Sequence, residues 1–160
     1  MFLPIRSGLI LGVLVAAWSL FNGYMGWYRH PSLSMAFVPG AIGLQVAVMV
    51  WSLALRRRED PFLRQVLHGM VLSAVASVLI FASSYLATSV LFPHYFQEMA
   101  ELGRQRLAAQ GLAPAEIEAQ LATYRAMATS GRQAFAGVMG TVSTGMILSL
   151  LLGAVMRRKA

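Results

Sequence analysis

Four long runs of the sequence contain no Asp, Glu, Lys or Arg, and this feature most constrains how the chain can fold. The runs cover about residues 7–27, 38–55, 66–92 and 133–156. A membrane helix needs roughly 17–25 residues to cross the hydrocarbon core, so each run is long enough. The runs are too long, and too continuously apolar, for the alternating strands of a membrane β-barrel. The sequence therefore predicts an all-α, four-transmembrane-helix bundle.

The composition also indicates that lipid is the solvent of this chain. Hydrophobic residues make up 58% of the 160 residues and charged residues 12%, whereas a soluble domain carries about 25% charged residues. The net charge is +7, but the basic residues flank the apolar runs, which is typical of topology signals and not of a nucleic-acid interface. The first run is longer than the apolar part of a signal peptide, about 7–15 residues. We therefore predict a single membrane domain over residues 1–160, with no nucleic acid among its partners.

The positions of arginine and lysine in the loops predict the orientation of the chain. Four arginines lie in RRREDPFLR, between the second and third runs, and three basic residues lie in the C-terminal RRKA. The loop between the first two runs contains only Arg29. Because basic loops are retained in the cytoplasm, we expect both termini there.

The segment between the third and fourth runs is then outside, and residues 94–130 are predicted to form a helical hairpin. Gly111 interrupts the pattern, and Pro114 suits the first turn of a second helix. Each predicted helix has an apolar face, formed by Phe96, Met99, Leu102 and Leu107 in the first and by Ile117, Leu121, Tyr124 and Ala128 in the second. These faces are expected to pack against each other.

Three stretches of the second half, FPHYFQEM, AAQGLAPAEIEAQL and GMILSLLLGAVMRRK, resemble the bacterial membrane-protein family called domain of unknown function 4199. The stretch GLILG near the start also fits. The chain departs from the family pattern at Ala113 and Pro114, where a Ser or Thr cap and an acidic residue are usual, and at DPFLRQVLHGM, which replaces a stretch richer in glycine and serine. The resemblance implies a bacterial inner-membrane protein, and it supplies no catalytic residues.

Residue patterns typical of catalysis are missing from the sequence. No carboxylate lies within an apolar run, although ion-coupled transporters usually place an ionisable group there. The chain has no cysteine, and His30, His68 and His94 are not spaced as metal ligands. We predict a non-enzymatic protein without a metal or other cofactor, with its histidines at the interface or in helix packing.

Seven polar residues are expected at one level, near the outer surface. We predict that they form a polar pocket beneath the hairpin that binds a small anionic ligand or a lipid head group. The alternative for the two amides among them is hydrogen bonding between helices. The seven residues are Asn22, Tyr24, Arg29, His30, Gln45, His94 and Arg132.

Small residues recur at every fourth position in three of the four runs. Such rows let helix backbones approach closely in lipid, so they are predicted to be packing faces and not a pore lining. The row in the fourth run is the longest, and we choose it as the contact face of a homodimer if one forms. The rows are Gly8, Gly12 and Ala16; Gly69, Ser73 and Ser77; and Gly137, Thr141, Gly145, Ser149 and Gly153.

The basic clusters at the cytoplasmic side are also predicted to contact anionic lipid, with about 1 kcal/mol for each basic residue near the surface. They consist of Arg56, Arg57, Arg58, Arg157, Arg158 and Lys159. We expect a structural or accessory membrane protein that acts through membrane lipids, a homodimer partner or a partner membrane protein. The alternative is a small oligomeric transporter or a lipid-flipping or scrambling protein.

Overall fold

The computed structural model of the protein describes residues 2–55 and 61–156, and these ranges are almost entirely helical, with no strand. The predicted all-α fold class is confirmed. A 3₁₀ turn at Trp27–Arg29 follows the first helix, and a π-helical turn at Ala87–Leu91 extends the fourth. The α-helices are α1 (Phe2–Tyr24), α2 (Pro31–Ser34), α3 (Phe37–Ala54), α4 (Phe62–Leu86), α5 (Tyr95–Ala109), α6 (Pro114–Met127) and α7 (Ser130–Met156).

Four helical segments are long and apolar enough to cross a membrane: Phe2–Tyr24, Ser32–Ala54, Phe62–Leu91 and Ser130–Val155. Each overlaps one of the four predicted runs, so the predicted four-helix membrane architecture is confirmed. The first helix ends before the predicted boundary at residue 27. It ends there because Gly26 adopts a left-handed conformation, with φ at 65°, which turns the chain out of the helix.

Helix α4 is the centre of the bundle, because it packs along both α1 and α7. Helix α3 packs mainly on α1 and meets α4 and α7 more lightly. Buried apolar side chains from α1, α3 and α4 form the main core cluster: Leu11, Val15, Val48, Leu72, Ala76 and Ile80. We call the end of the bundle that carries α5 and α6 the hairpin end, and the opposite end, near residues 2 and 156, the terminal end.

The small residues of α4 and α7 interlock in reciprocal pairs. The side chain of Ser149 lies against Gly69, and the side chain of Ser73 lies against Gly145, so that a Cβ atom at either glycine would overlap the facing serine. Toward the end of α7, Gly153 faces Phe62 and Val66, and toward its start Gly137 faces Ile80. The row of α7 is therefore covered by α4 of the same chain. Our choice of this row as a homodimer contact is wrong, because the face is already occupied within the chain.

The row of α1 also packs against α4. A Cβ at Gly8 would lie 2.6 Å from the carbonyl oxygen of Leu72, and a Cβ at Gly12 would lie 2.7 Å from Cδ1 of Leu79. Contacts this short leave room only for hydrogen, so the two backbones approach each other closely. Ala16, the third member of the row, is half-buried.

Helices α5 and α6 form the predicted hairpin, which turns at Gly111 with φ at 79°. Ile117 and Leu121 of α6 are buried against Ala100 of α5. The face predicted for α6 is thus largely the one that packs on α5. The face predicted for α5 is partly displaced, because Ala100 takes the buried position and Met99 faces the bundle instead.

Candidate functional site

A cavity of about 450 Å³ lies in the half of the bundle nearer the hairpin end, between α1, α3, α4 and α7. This volume is within the range of small-molecule sites, about 300–1,000 Å³. The π-helical turn contributes Ala87 and Thr88 to the wall, and π turns inside helices often occur at functional sites. We call this space the hairpin-side cavity.

The wall of the hairpin-side cavity is polar in places but carries no Asp, Glu, Lys, Arg or His among the described residues. Hydroxyl and amide side chains alternate with aliphatic and aromatic ones. Such a wall can form hydrogen bonds with an occupant, but it offers no counter-charge to an ion. The polar lining residues are Ser19, Asn22, Tyr28, Ser34, Gln45, Ser83, Ser84, Thr88, Tyr95, Gln133, Thr141 and Thr144.

The exposed residues of the wall show where the cavity opens. Five lining residues are exposed, and all of them lie on α3 or α7, whereas the lining residues of α1 and α4 are buried or half-buried. Four of the five are apolar or glycine. The opening is therefore a lateral gap between α3 and α7, at the level of the apolar spans, and it is lined by Val38, Ile42, Gln133, Ala136 and Gly140.

Gln45 lines the cavity and links α3 to the two helices beside it. Its Nε2 donates to the carbonyl oxygen of Thr141 in α7 at 2.9 Å and to Oγ of Ser73 in α4 at 3.3 Å. The side chain is 5% exposed. Gln45 therefore joins three helices just where the lateral gap ends.

Tyr28, Tyr95 and Met99 cover the cavity at the hairpin end. The rings of Tyr28 and Tyr95 meet edge to face, with centroids 5.1 Å apart. This arrangement brings residues of the 3₁₀ turn and of α5 together above the four spans.

Glu98 of α5 fastens this cover to the 3₁₀ turn. Its Oε2 accepts hydrogen bonds from the Tyr28 hydroxyl at 2.8 Å and from Nε of Arg29 at 2.9 Å, and its Oε1 accepts one from Arg29 at 3.1 Å. These bonds, from Tyr28 first and then from Arg29, lower the pKa of Glu98 below its usual value, so the carboxylate is ionised at neutral pH. The pKa of Tyr95 is raised by burial, so this hydroxyl stays protonated.

Asn22 carries a polar atom that is not satisfied by the described residues. Its Nδ2 donates to the carbonyl oxygen of Trp18, one turn earlier in α1, at 2.7 Å. Its Oδ1 is buried and accepts no hydrogen bond within the described part of the chain. A buried acceptor without a donor costs about 1–3 kcal/mol, so a donor placed against this oxygen would stabilise the structure.

The structure does not bring the seven predicted pocket residues together. Only Asn22 and Gln45 line the hairpin-side cavity. Arg29 forms an ion pair with Glu98 of α5, so its charge faces the hairpin. The remaining members lie toward the surface, where Tyr24 packs on Phe92, His94 lies 3.2 Å from Gln97, and His30 and Arg132 are exposed.

This placement corrects the predicted pocket. The cavity takes its polar groups from serine, threonine and amide side chains within the spans, which a search for charged residues does not find. The predicted lipid-contact cluster of Arg56, Arg57, Arg58, Arg157, Arg158 and Lys159 lies outside the described residues.

Sequence reasoning also missed a second buried polar cluster, near the terminal end. Ser52 of α3 donates to Oγ of Ser7 in α1 at 2.8 Å and lies 2.7 Å from Nε2 of His68 in α4. Ser7 and Ser52 are fully buried and His68 is 4% exposed. The sequence signal that could have predicted this cluster is that the three residues lie at a similar depth in three different spans. Because all three side chains are buried, we interpret this contact as a tie between helices and not as a nucleophile with its base.

Together these features define a helical membrane protein with an uncharged cavity that opens sideways between two of its spans. The chain belongs to the family described as protein of unknown function DUF4199, whose family model matches residues 6–158. The resemblance seen in the second half of the sequence is thus confirmed over nearly the whole chain. No curated protein and no solved structure matches it.

Proposed function

We propose that the protein is a non-enzymatic accessory protein of the membrane, which holds a lipid-like molecule in the hairpin-side cavity. The lateral gap between α3 and α7 is the observation that carries this proposal. A gap at the level of the spans receives molecules from the bilayer, whereas a gap at the hairpin end would receive them from water. The protein then acts through its lipid contacts.

We also propose that it lies in the bacterial inner membrane with both termini in the cytoplasm and the hairpin outside. The arginines between the second and third spans and at the C-terminus support this orientation. The chain has no cysteine, so single cysteines give an unambiguous test. In spheroplasts, we expect an impermeant maleimide to label Gln110→Cys, at the hairpin turn, without lysis. Phe2→Cys, at the terminal end, is expected to react only after permeabilisation, and the opposite pattern would reverse the proposed orientation.

A transporter or lipid-flipping protein is the alternative function. It requires a path from the cavity to the terminal end, and the hydrogen bonds by which Gln45 joins α3 to α4 and α7 would have to break to open one there. These bonds favour holding over transport. In vesicles that contain the purified protein, we expect fluorescent phospholipid to cross the bilayer no faster than in vesicles without protein. A clear acceleration would favour the alternative.

Blocking the lateral gap is expected to remove the bound molecule. Gly140 lies at the gap, and a Cβ there meets no atom within 4 Å, so Gly140→Phe fills the opening without an immediate clash. Gly43 of α3 is the matched control, because it is also exposed, its Cβ also meets nothing within 4 Å, and it does not line the cavity. We expect native mass spectrometry to show at least fivefold less co-purifying lipid on Gly140→Phe than on Gly43→Phe. Equal retention on the two variants would contradict the proposed function.

A further inference from the structure

We infer that the occupant of the hairpin-side cavity is an uncharged amphiphile that carries a hydroxyl group, with the hydroxyl bound at Asn22. This inference rests on the proposed function and adds the chemical class of the ligand. It follows from three independent properties of the site, namely its charge, its opening and the unsatisfied oxygen of Asn22.

The lack of charge in the wall excludes ionic head groups. Moving an ion out of water is costly unless a counter-ion pairs with it, and the described lining supplies none. Arg29, which follows Tyr28 of the cover in sequence, is held by Glu98 and is more than half exposed. A phosphate, carboxylate or ammonium group would therefore lose its hydration on entering the cavity without gaining a partner.

The opening indicates the shape of the occupant. The gap between α3 and α7 is flanked by Val38, Ile42, Ala136 and Gly140, which provide apolar contact along its length. A hydrocarbon tail fits such a gap and continues into the surrounding lipid. The occupant is then an amphiphile that enters from the bilayer. Its polar group lies deepest in the cavity, and its hydrocarbon tail lies in the gap.

The unsatisfied oxygen of Asn22 indicates that the polar group of the occupant is a hydrogen-bond donor. The amide is held in one orientation, because Nδ2 donates to the Trp18 carbonyl, and this leaves Oδ1 as an acceptor. Because Asn22 is part of the cavity wall and is 94% buried, an occupant is a source of the donor that Oδ1 lacks. An alcohol supplies this donor, whereas an ether or an ester of the same size has only acceptors.

Photo-crosslinking with matched probes tests the inference. The probes are a ten-carbon alcohol that carries a diazirine, its methyl ether and the carboxylate of the same chain length, each added to the full chain in lipid nanodiscs. We expect the alcohol to label residues of the cavity wall at least fivefold more than the ether or the carboxylate, as mapped by peptide mass spectrometry. Asn22→Leu is expected to reduce labelling by the alcohol to the level of the ether.

Ser77→Ala is the control variant. Ser77 is also a buried polar residue of the spans, but it does not line the cavity and its hydroxyl donates to the carbonyl oxygen of Ala74 in its own helix, so we expect labelling as in the unmodified protein. Unchanged labelling by the ether reports that Asn22→Leu still folds. If Asn22→Leu does not fold, the preference of the unmodified protein for the alcohol over the ether still decides the question.

The outcomes separate this inference from the proposed function. If the alcohol and the ether label the wall equally, the cavity binds amphiphiles but Asn22 does not select a hydroxyl, and the inference is overturned. Strong labelling by the carboxylate overturns the uncharged class. If no probe labels the wall, the proposed function itself fails.

Discussion

Gly145→Leu is expected to destabilise the bundle by more than about 3 kcal/mol. A Cβ at this position already overlaps Ser73 and lies 2.9 Å from Nε2 of Gln45, so a leucine must push α7 away from α4. Overpacking a core typically costs about 1–3 kcal/mol, and here the displacement also breaks the hydrogen bonds of Gln45. Thermal unfolding in detergent, followed by circular dichroism, measures the loss.

Gly140→Leu is the control on the same helix. Its Cβ meets no atom within 4 Å, and leucine forms helices better than glycine, so we expect stability to be unchanged or slightly higher. A compensating pair tests the same interface. Gly69→Ala alone is expected to destabilise, and Ser149→Gly in the same chain to restore part of the loss. Equal stability of Gly145→Leu and Gly140→Leu would mean that α4 and α7 do not pack in this register.

Ser52→Ala is expected to destabilise the protein by about 1–3 kcal/mol. The Ser52 hydroxyl joins α3 to Ser7 of α1 and to His68 of α4, and the substitution removes both hydrogen bonds. A single hydrogen bond between membrane helices averages about 0.6 kcal/mol with a maximum near 1.7 kcal/mol. Two bonds to one fully buried hydroxyl therefore give the range above. The measurement is again thermal unfolding in detergent.

Ser77→Ala provides the comparison for Ser52→Ala. Ser77 is equally a buried serine of the spans, but its hydroxyl donates to the carbonyl oxygen of Ala74 within α4. Removal of this local bond separates no pair of helices, and we expect a change within about 0.5 kcal/mol. If the two substitutions have the same effect, the contact among Ser7, Ser52 and His68 does not hold the helices together.

The sequence predicted the spans and the hairpin because those depend on properties that extend over many residues. An apolar run of about 20 residues has one low-energy structure in lipid, and Gly111 followed by Pro114 marks a helix break by local geometry alone. The rows of small residues likewise predicted packing faces. The partner of each row could not be predicted, because the four-residue spacing on α7 is the same whether α4 or a second copy covers it.

The cavity was not predictable from residue types. Its wall comes from six α-helices, α1 to α5 and α7, and from the 3₁₀ and π-helical turns, and its polar groups are common in membrane helices for structural reasons. The prediction grouped residues by depth and charge, which placed Arg29 in the pocket. The partner of Arg29 is Glu98, nearly 70 residues later in the chain, and no local sequence pattern predicts this contact. Asn22 and Gln45 were found because a buried amide is uncommon among apolar neighbours.

The parallel packing of α1 against α4 has a consequence for biogenesis. Gly8 and Gly12 are covered by the third span and not by the second, although the second follows α1 directly in the chain. When the spans enter the membrane in order of synthesis, this face of α1 contacts lipid until α4 arrives. Before that point α1 and α3 are joined by contacts such as the one between Ser7 and Ser52. The third span therefore completes the native contacts of α1, whose glycine face is covered only after residues 72–79 have entered the membrane.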